Sequence, residues 1–266
     1  MPISAPLIAA DPPDGSASPA SAVDACVRVL RDGIVSGQMP AGVRLPPERA
    51  LAERFQVNRV TVRTALARLE SEHLVSVRQG SGYVVRDYRR AGGPDLIATL
   101  ASLAQSATDR ATIVRDLLAV RRQLARATLE RLIEAADAAA LQNVEGSIDR
   151  FAAAVDAGAP VPELASRDLD VAAALVAATG SAVLQLCFNP VATLLHELPM
   201  LQDAMYREPG ENVTAYRAVL ELVRRGSRGG VDVALELLAD RDAATVRVVA
   251  RAPAATTTSK KKDKRR

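Results

Sequence analysis

The stretch LPPERALAERFQVNRVTVRTALARLE, residues 45–70, constrains the fold more than any other part of the chain. Apolar residues recur at helical spacing on both sides of the short FQVN break, and Asn58 stands where its side-chain oxygen can cap a new helix. The spacing predicts one helix over Glu48–Phe55 and another running from Asn58 to about Ser71. On the second, taking 100° per residue, Val62, Ala65, Leu66 and Leu69 occupy one side. The opposite side centres on Val60, Arg63, Thr64 and Ala67, with Arg59, Thr61 and Arg68 flanking it.

What lies on either side of this pair completes a pattern. Upstream, Val23, Val27, Leu30 and Ile34 form the stripe of a helix that stops at Ser36-Gly37. Downstream, Leu74–Val77 and Tyr83–Val85 are short β-prone runs, and Gln79-Gly80-Ser81-Gly82 supplies the turn between them. Three helices followed by a small hairpin make a winged helix-turn-helix. The polar face of its third helix suits duplex DNA. Arg63 can fork onto guanine O6 and N7, Val60 can meet a thymine methyl, and small Thr64 and Ala67 allow close approach. Arg59 and Thr61 lie in the first turn, where free backbone N–H groups favour a phosphate. A merely solvated face would explain the arginines, but it has no use for a β-branched Val60.

Charge agrees with this division of labour. Ala22–Arg90 carries twelve arginines against seven acidic residues, whereas Ala91–Ala252 carries sixteen basic residues against twenty-one acidic ones. A basic module on an acidic body points to a polyanion partner for the first part only. Aromatic residues make up 3% and there is no Trp, so the core must be built from Leu, Val, Ile and many alanines, which favours helix.

Beyond Arg90 the sequence AGGP makes a break, and no further strand signal follows. Helical segments are expected at roughly 95–105, 108–135, 137–157, 162–179, 181–205, 211–225 and 230–250. Pro190 and Pro199 should kink or divide the fifth. The fold expected is mainly α: an N-terminal winged helix-turn-helix (21–88), a linker (89–94) and a C-terminal all-α bundle of about seven helices (95–252). Residues 1–20 and the basic tail 253–266 are expected to be disordered. Cys26 and Cys187 fit no metal or redox spacing and, in apolar surroundings, are expected to be buried inert thiols. The start lacks a signal peptide and no apolar run suffices for a membrane span, so a cytoplasmic protein is expected. No Ser/His/Asp set, phosphate loop or carboxylate pair suggests an enzyme.

Residues 22–88 resemble the winged helix-turn-helix of the GntR family of bacterial transcription regulators. The resemblance is carried by GxxxxGxRLPPERxLAxxFxVxRxTVRxALxxLExxxLV, read from Gly37 through Val75, and by the wing RQGSGYVV. It implies DNA contacts at Arg49, Asn58, Arg59, Thr61, Arg63 and the wing tip Gln79-Gly80, with the wing tip in the minor groove and the third helix in the major groove. Val60 and Thr64 join them as candidate base readers. Two copies on a near-palindromic operator of double-stranded DNA would place two such helices on successive half-sites.

The all-α body resembles the FadR branch of that family, most of whose members hold a metal with an Asp and three His. Only His73 and His196 occur in this chain, and the expected ligand positions fall on Ala172 and near Tyr216 and Arg241. No metal and no other cofactor is therefore expected. The resemblance implies a long-chain acyl-CoA as small-molecule effector, with Arg121 and Thr245 at matching ligand positions, while Arg241 and Val249 depart from it. An ion pair of Arg121 with Asp116 or a neighbouring helix would explain that residue equally well. Two other readings stay open: a regulator sensing a small organic acid without metal, and an architectural DNA-binding protein using the KKKDKRR tail.

Overall fold

Leu30, Leu51, Leu66 and Leu69 converge on one centre and lose all contact with water. They come from α1 (Pro19–Val35), α2 (Glu48–Phe55) and α3 (Arg59–Ser71) in a computed structural model that describes residues 19–78 and 82–251. Between α2 and α3 the chain turns within three residues. Gln56 takes the left-handed conformation (φ 54°), and the Asn58 side-chain oxygen accepts from the Thr61 amide at 2.8 Å, capping α3. Gly37 and Gly42, with φ of 81° and 86°, make the left-handed turns that carry the chain from α1 towards α2.

The hairpin after α3 pairs β1 (Val75–Arg78) with β2 (Gly82–Val85), antiparallel, Val75 opposite Val85 and Arg78 opposite Gly82. The extended segment before α2 joins this ladder through a bridge between Arg44 and Val84, and the Leu45 amide donates to the Tyr83 carbonyl at 2.9 Å. Its far side therefore pairs too, which ties the hairpin to the helices. A short turn of helix, α4 (Tyr88–Ala91), precedes α5 (Leu96–Leu103), whose Leu96 enters the same core as Leu30 and whose backbone packs on α1. The described chain consequently divides into two compact units between Leu103 and Ala104, after α5, and AGGP lies inside the first.

The second unit contains α6 (Ala107–Ala135), α7 (Ala138–Asp156), α8 (Val161–Ala178), α9 (Ala182–Glu197), α10 (Pro199–Met205), α11 (Pro209–Arg224) and α12 (Gly229–Arg251). Ser106, Asp137 and Ser181 cap α6, α7 and α9 with their side-chain oxygens. Pro199 divides the segment 181–205 as expected. Pro190 does not end α9, because buried Val191, Leu194 and Leu195 beyond it anchor the second half of the helix. Arg121–Asp242 and Arg126–Asp232 pair in reversed order, so α6 and α12 run antiparallel along an extended contact. The core gathers Leu132, Val144, Ile148, Phe151 and Val171, with Phe151 edge-on to Tyr216 at 6.4 Å between ring centres.

The fold is thus mainly helical, with a two-stranded wing in the first unit and seven helices in the second. One cysteine departs from expectation. Cys26 is buried, but Cys187 is exposed on the same outward side of α9 as Val183 and Leu186. Apolar neighbours in sequence did not imply burial, because α9 packs through its opposite face. Among the described residues no helix is long and apolar enough to cross a membrane. The terminal segments expected to be disordered lie outside the described residues.

Leu66 has no exposed surface and sits at the meeting of the three helices. Leu66→Ala should lower the unfolding free energy of the first unit by about 2–5 kcal/mol in urea titrations. A loss under about 1 kcal/mol would contradict close packing at this site.

Candidate functional site

The outward face of α3 is laid down by its inward one. With Val62, Ala65, Leu66 and Leu69 buried, Arg59, Val60, Arg63, Thr64 and Ala67 face solvent, and Val60 is 70% exposed. An isolated β-branched residue so exposed stabilises nothing in the free protein. Arg49 on α2 is exposed as well, 3.7 Å from Glu53, a surface contact of little energetic weight. The Thr64 hydroxyl donates to the Val60 carbonyl at 3.0 Å.

Thr61, expected at a phosphate, takes part in the cap of α3. It is 7% exposed, and both its amide and its hydroxyl donate to the Asn58 side-chain oxygen. Asn58 and Thr61 therefore build the start of the helix. Gln79 and Gly80 lie outside the described residues.

One partner on this face was missed. The Arg63 guanidinium donates to the Glu48 carboxylate through Nη2 at 2.9 Å and Nε at 3.2 Å. That hydrogen bond is the main reason the Glu48 carboxyl lies below its ordinary range, against the opposing effect of partial burial. The available sequence signal was the Glu of LPPER, which opens α2 fifteen residues before Arg63.

In the second unit a cavity of about 600 Å³ opens between α6, α8, α9, α10, α11 and α12. Its wall is largely aliphatic, with Leu124, Leu129, Leu175, Val191, Leu195 and Leu238. Polar groups meet it in two places. Asp168 is buried, and the Tyr206 hydroxyl donates to its Oδ2 at 2.9 Å. Burial nevertheless pushes the Asp168 carboxyl up, outweighing that hydrogen bond and the nearby Arg121 charge. Burial and the Asp168 charge also hold the Tyr216 phenol well above its ordinary value.

The second polar region contains both residues expected to meet an effector. Arg121 and Thr245 line the same cavity. Arg121 pairs with the buried carboxylate of Asp242 on α12, which Arg122 also engages; Asp116 is not its partner. The buried Nε–H of Arg121 has no protein acceptor. The Thr245 hydroxyl donates to the Arg241 carbonyl at 3.1 Å, and Arg241 itself reaches Asn212. Asp168, Ala172, Tyr216 and Arg241 all line the cavity, but this set does not suit a divalent cation. Ala172 offers no donor atom, Arg241 is a cation, and Tyr216 keeps its proton.

Residues 23–85 match bacterial regulatory proteins of the gntR family, and residues 116–241 match the FCD domain. The first unit is thus similar to bacterial regulatory proteins of the gntR family, and the second to FCD domains. The gntR family is one of regulatory proteins, not of enzymes. The chain is 44% identical over 88 residues to the HTH-type transcriptional regulator Mce2R of Mycobacterium tuberculosis, covering 33% of this chain and 36% of that protein. It is 35% identical over 95 residues to the fatty acid metabolism regulator protein of Vibrio cholerae, covering 35% and 33%. Over 59 residues it is 48% identical to the Uxu operon transcriptional regulator of Escherichia coli, covering 22% and 23%. The matches thus span about a third or less of the length of these curated relatives. Among solved structures, Lar of Listeria monocytogenes shares the fold with a TM-score of 0.55 at 15% identity, over 87% of this chain and 97% of that one.

The buried carboxylate of Asp168 gives a pH test. A carboxyl raised by folding holds its proton more tightly in the native state, so its contribution is fully present below the unfolded pKa. That contribution is lost as pH rises through the folded value. Asp168→Asn keeps an acceptor for Tyr206 and cannot ionise. Its melting temperature relative to wild type should therefore climb between about pH 4 and pH 7 in thermal scans. A difference that stays flat across that window would show that Asp168 ionises as readily folded as unfolded.

Proposed function

We propose that the protein is a ligand-responsive, DNA-binding transcription regulator whose FCD domain takes a long-chain acyl-CoA. The observation that carries the DNA reading is the exposed α3 face, where Val60 and Arg63 stand outward with no apolar cover. Small Thr64 and Ala67 keep the middle of that face low, which a helix entering the major groove needs. Arg49 and Arg59 flank it at the level of the sugar-phosphate backbone, where a positive charge contributes affinity but no sequence information.

The effector reading is supported by the shape and lining of the cavity. Its volume falls in the usual range for small-molecule sites, and its aliphatic wall suits an acyl chain. Arg121, with its unpartnered Nε–H, and exposed Arg207 offer donors and charge for a thioester carbonyl or phosphates. The donor set favours an effector bound without metal or other cofactor. The Vibrio cholerae relative, named for fatty acid metabolism, points the same way. A homodimer on a near-palindromic operator fits the exposed Val183 and Leu186 of α9, at 70% and 69%, which a second copy would cover. Such a regulator works in the cytoplasm, on the chromosome.

Effector binding changes operator affinity only to the extent that the effector prefers one state of the protein. Two measurements test the proposal. Arg63→Ala should weaken binding to duplexes selected from a randomised library by about 1–3 kcal/mol in gel-shift titrations, leaving effector binding intact. Unchanged affinity would remove α3 from the interface. Calorimetry should give binding heat with oleoyl-CoA and none with short carboxylates. The reverse result would make the effector a small organic acid, and affinity that survives scrambling of the duplex but not loss of the tail would make the protein an architectural one.

A further inference from the structure

Arg63 is not a free cation. Its Nη2 and Nε both donate to Glu48, at 2.9 Å and 3.2 Å, across the gap between α3 and α2. A surface ion pair usually contributes little stability, so the pair needs another reason to be bidentate and to join two helices. Glu48 is the less exposed member of the pair. It opens α2, its side chain is 27% exposed against 69% for Arg63, and Arg59 and Tyr83 lie near enough to share its field. The first turn of a helix also favours a carboxylate.

The geometry of the guanidinium decides what this contact does. Arginine has five N–H donors in a fixed plane. Glu48 occupies the side edge, made of Nε–H and one hydrogen of Nη2. The end edge, made of Nη1–H and the other Nη2 hydrogen, is not used by Glu48. That end edge is the pair of donors that matches guanine O6 and N7. We infer that Glu48 is a specificity-determining residue, which clamps the side edge of Arg63 so that its end edge reads guanine in preference to gripping phosphate. The inference rests on the DNA-binding reading of α3.

Two effects follow from the one carboxylate. It fixes a long side chain in advance, which removes rotamer freedom that a base contact would otherwise have to freeze. It also offsets the charge of Arg63, so that a phosphate must compete with an existing bidentate partner. Without Glu48, Arg63 becomes a mobile cation that binds any duplex. Glu48 acts through Arg63 and need not touch a base.

The test uses the full-length chain and a randomised duplex library. Wild type should enrich a sequence with guanine fixed at one position in each half-site, and Arg63→Ala should lose that position alone. Glu48→Ala should reduce discrimination at the same position by roughly five- to tenfold, within the range one bidentate contact contributes. It should also raise affinity for a scrambled duplex, with a steeper salt dependence. Glu48→Gln, which keeps an acceptor but no charge, should fall between, and guards against misfolding of the alanine variant, as unchanged melting temperatures would verify. In the Arg63→Ala background, Glu48→Ala should do nothing further at that position. Full guanine preference in both Glu48 variants overturns the inference while leaving DNA binding intact. Failure of wild type to enrich any sequence overturns the DNA reading itself, and the inference with it.

Discussion

The turn at residues 56–58 is the constraint on which the first unit depends. Gln56 reverses the chain, and Asn58 starts α3 with an oxygen that accepts from both the amide and the hydroxyl of Thr61. An N-cap of this kind is worth about 1 kcal/mol, too little to hold a domain together. Its importance is directional. It fixes the residue at which α3 begins, and therefore which residues meet the core. With Val62, Ala65, Leu66 and Leu69 turned inward, Arg63 and Val60 have no choice but to face out. The same turn holds the start of α2 opposite the second turn of α3, which is what lets Glu48 reach Arg63.

In the helical unit the equivalent role falls to Asp242. Burying a carboxylate is costly, and burial does push this one up. Two guanidiniums, from Arg121 and Arg122, oppose that cost and tie α6 to α12 at the edge of the cavity. A hydrophobic pair would pack these helices at least as well. What it would not supply is a cation beside an apolar space, with one Nε–H still unmatched.

How much of this was legible in the sequence depended on distance along the chain. The helices around 45–70, the cap at Asn58 and the hairpin after them are written in local spacing. Thr61 was legible only in part. A 100° wheel places it beside the polar face, but the wheel carries no information about the cap that draws its hydroxyl inward. Glu48–Arg63 and Arg121–Asp242 are separated by 15 and 121 residues, and no periodicity links such pairs. The allegiance of α5 failed for a related reason. Gly-Gly-Pro reads as a boundary, but Leu96 beyond it still has a place in the first core. The cavity itself was legible only as a composition rich in Leu, Val and Ala, since its outline depends on where six helices diverge.

The arginines that line the cavity, Arg121 and Arg241, have a physical consequence for what it can hold. A bound divalent ion is a fixed charge that leaves only with its ligands. An arginine is exchangeable, because it can give up one acceptor for another with little change in geometry. Arg121 holds Asp242 and Arg241 holds Asn212, and each lines the cavity. An effector that offers an oxygen to Arg241 or to the Nη2 of Arg121 must compete with an acceptor already in place, which leaves only the Nε–H of Arg121 unmatched. The net gain is then small at the head group, and affinity must come mainly from the apolar wall, at about 25 cal/mol per Å² of surface removed from water. A cavity built this way discriminates by chain more than by charge.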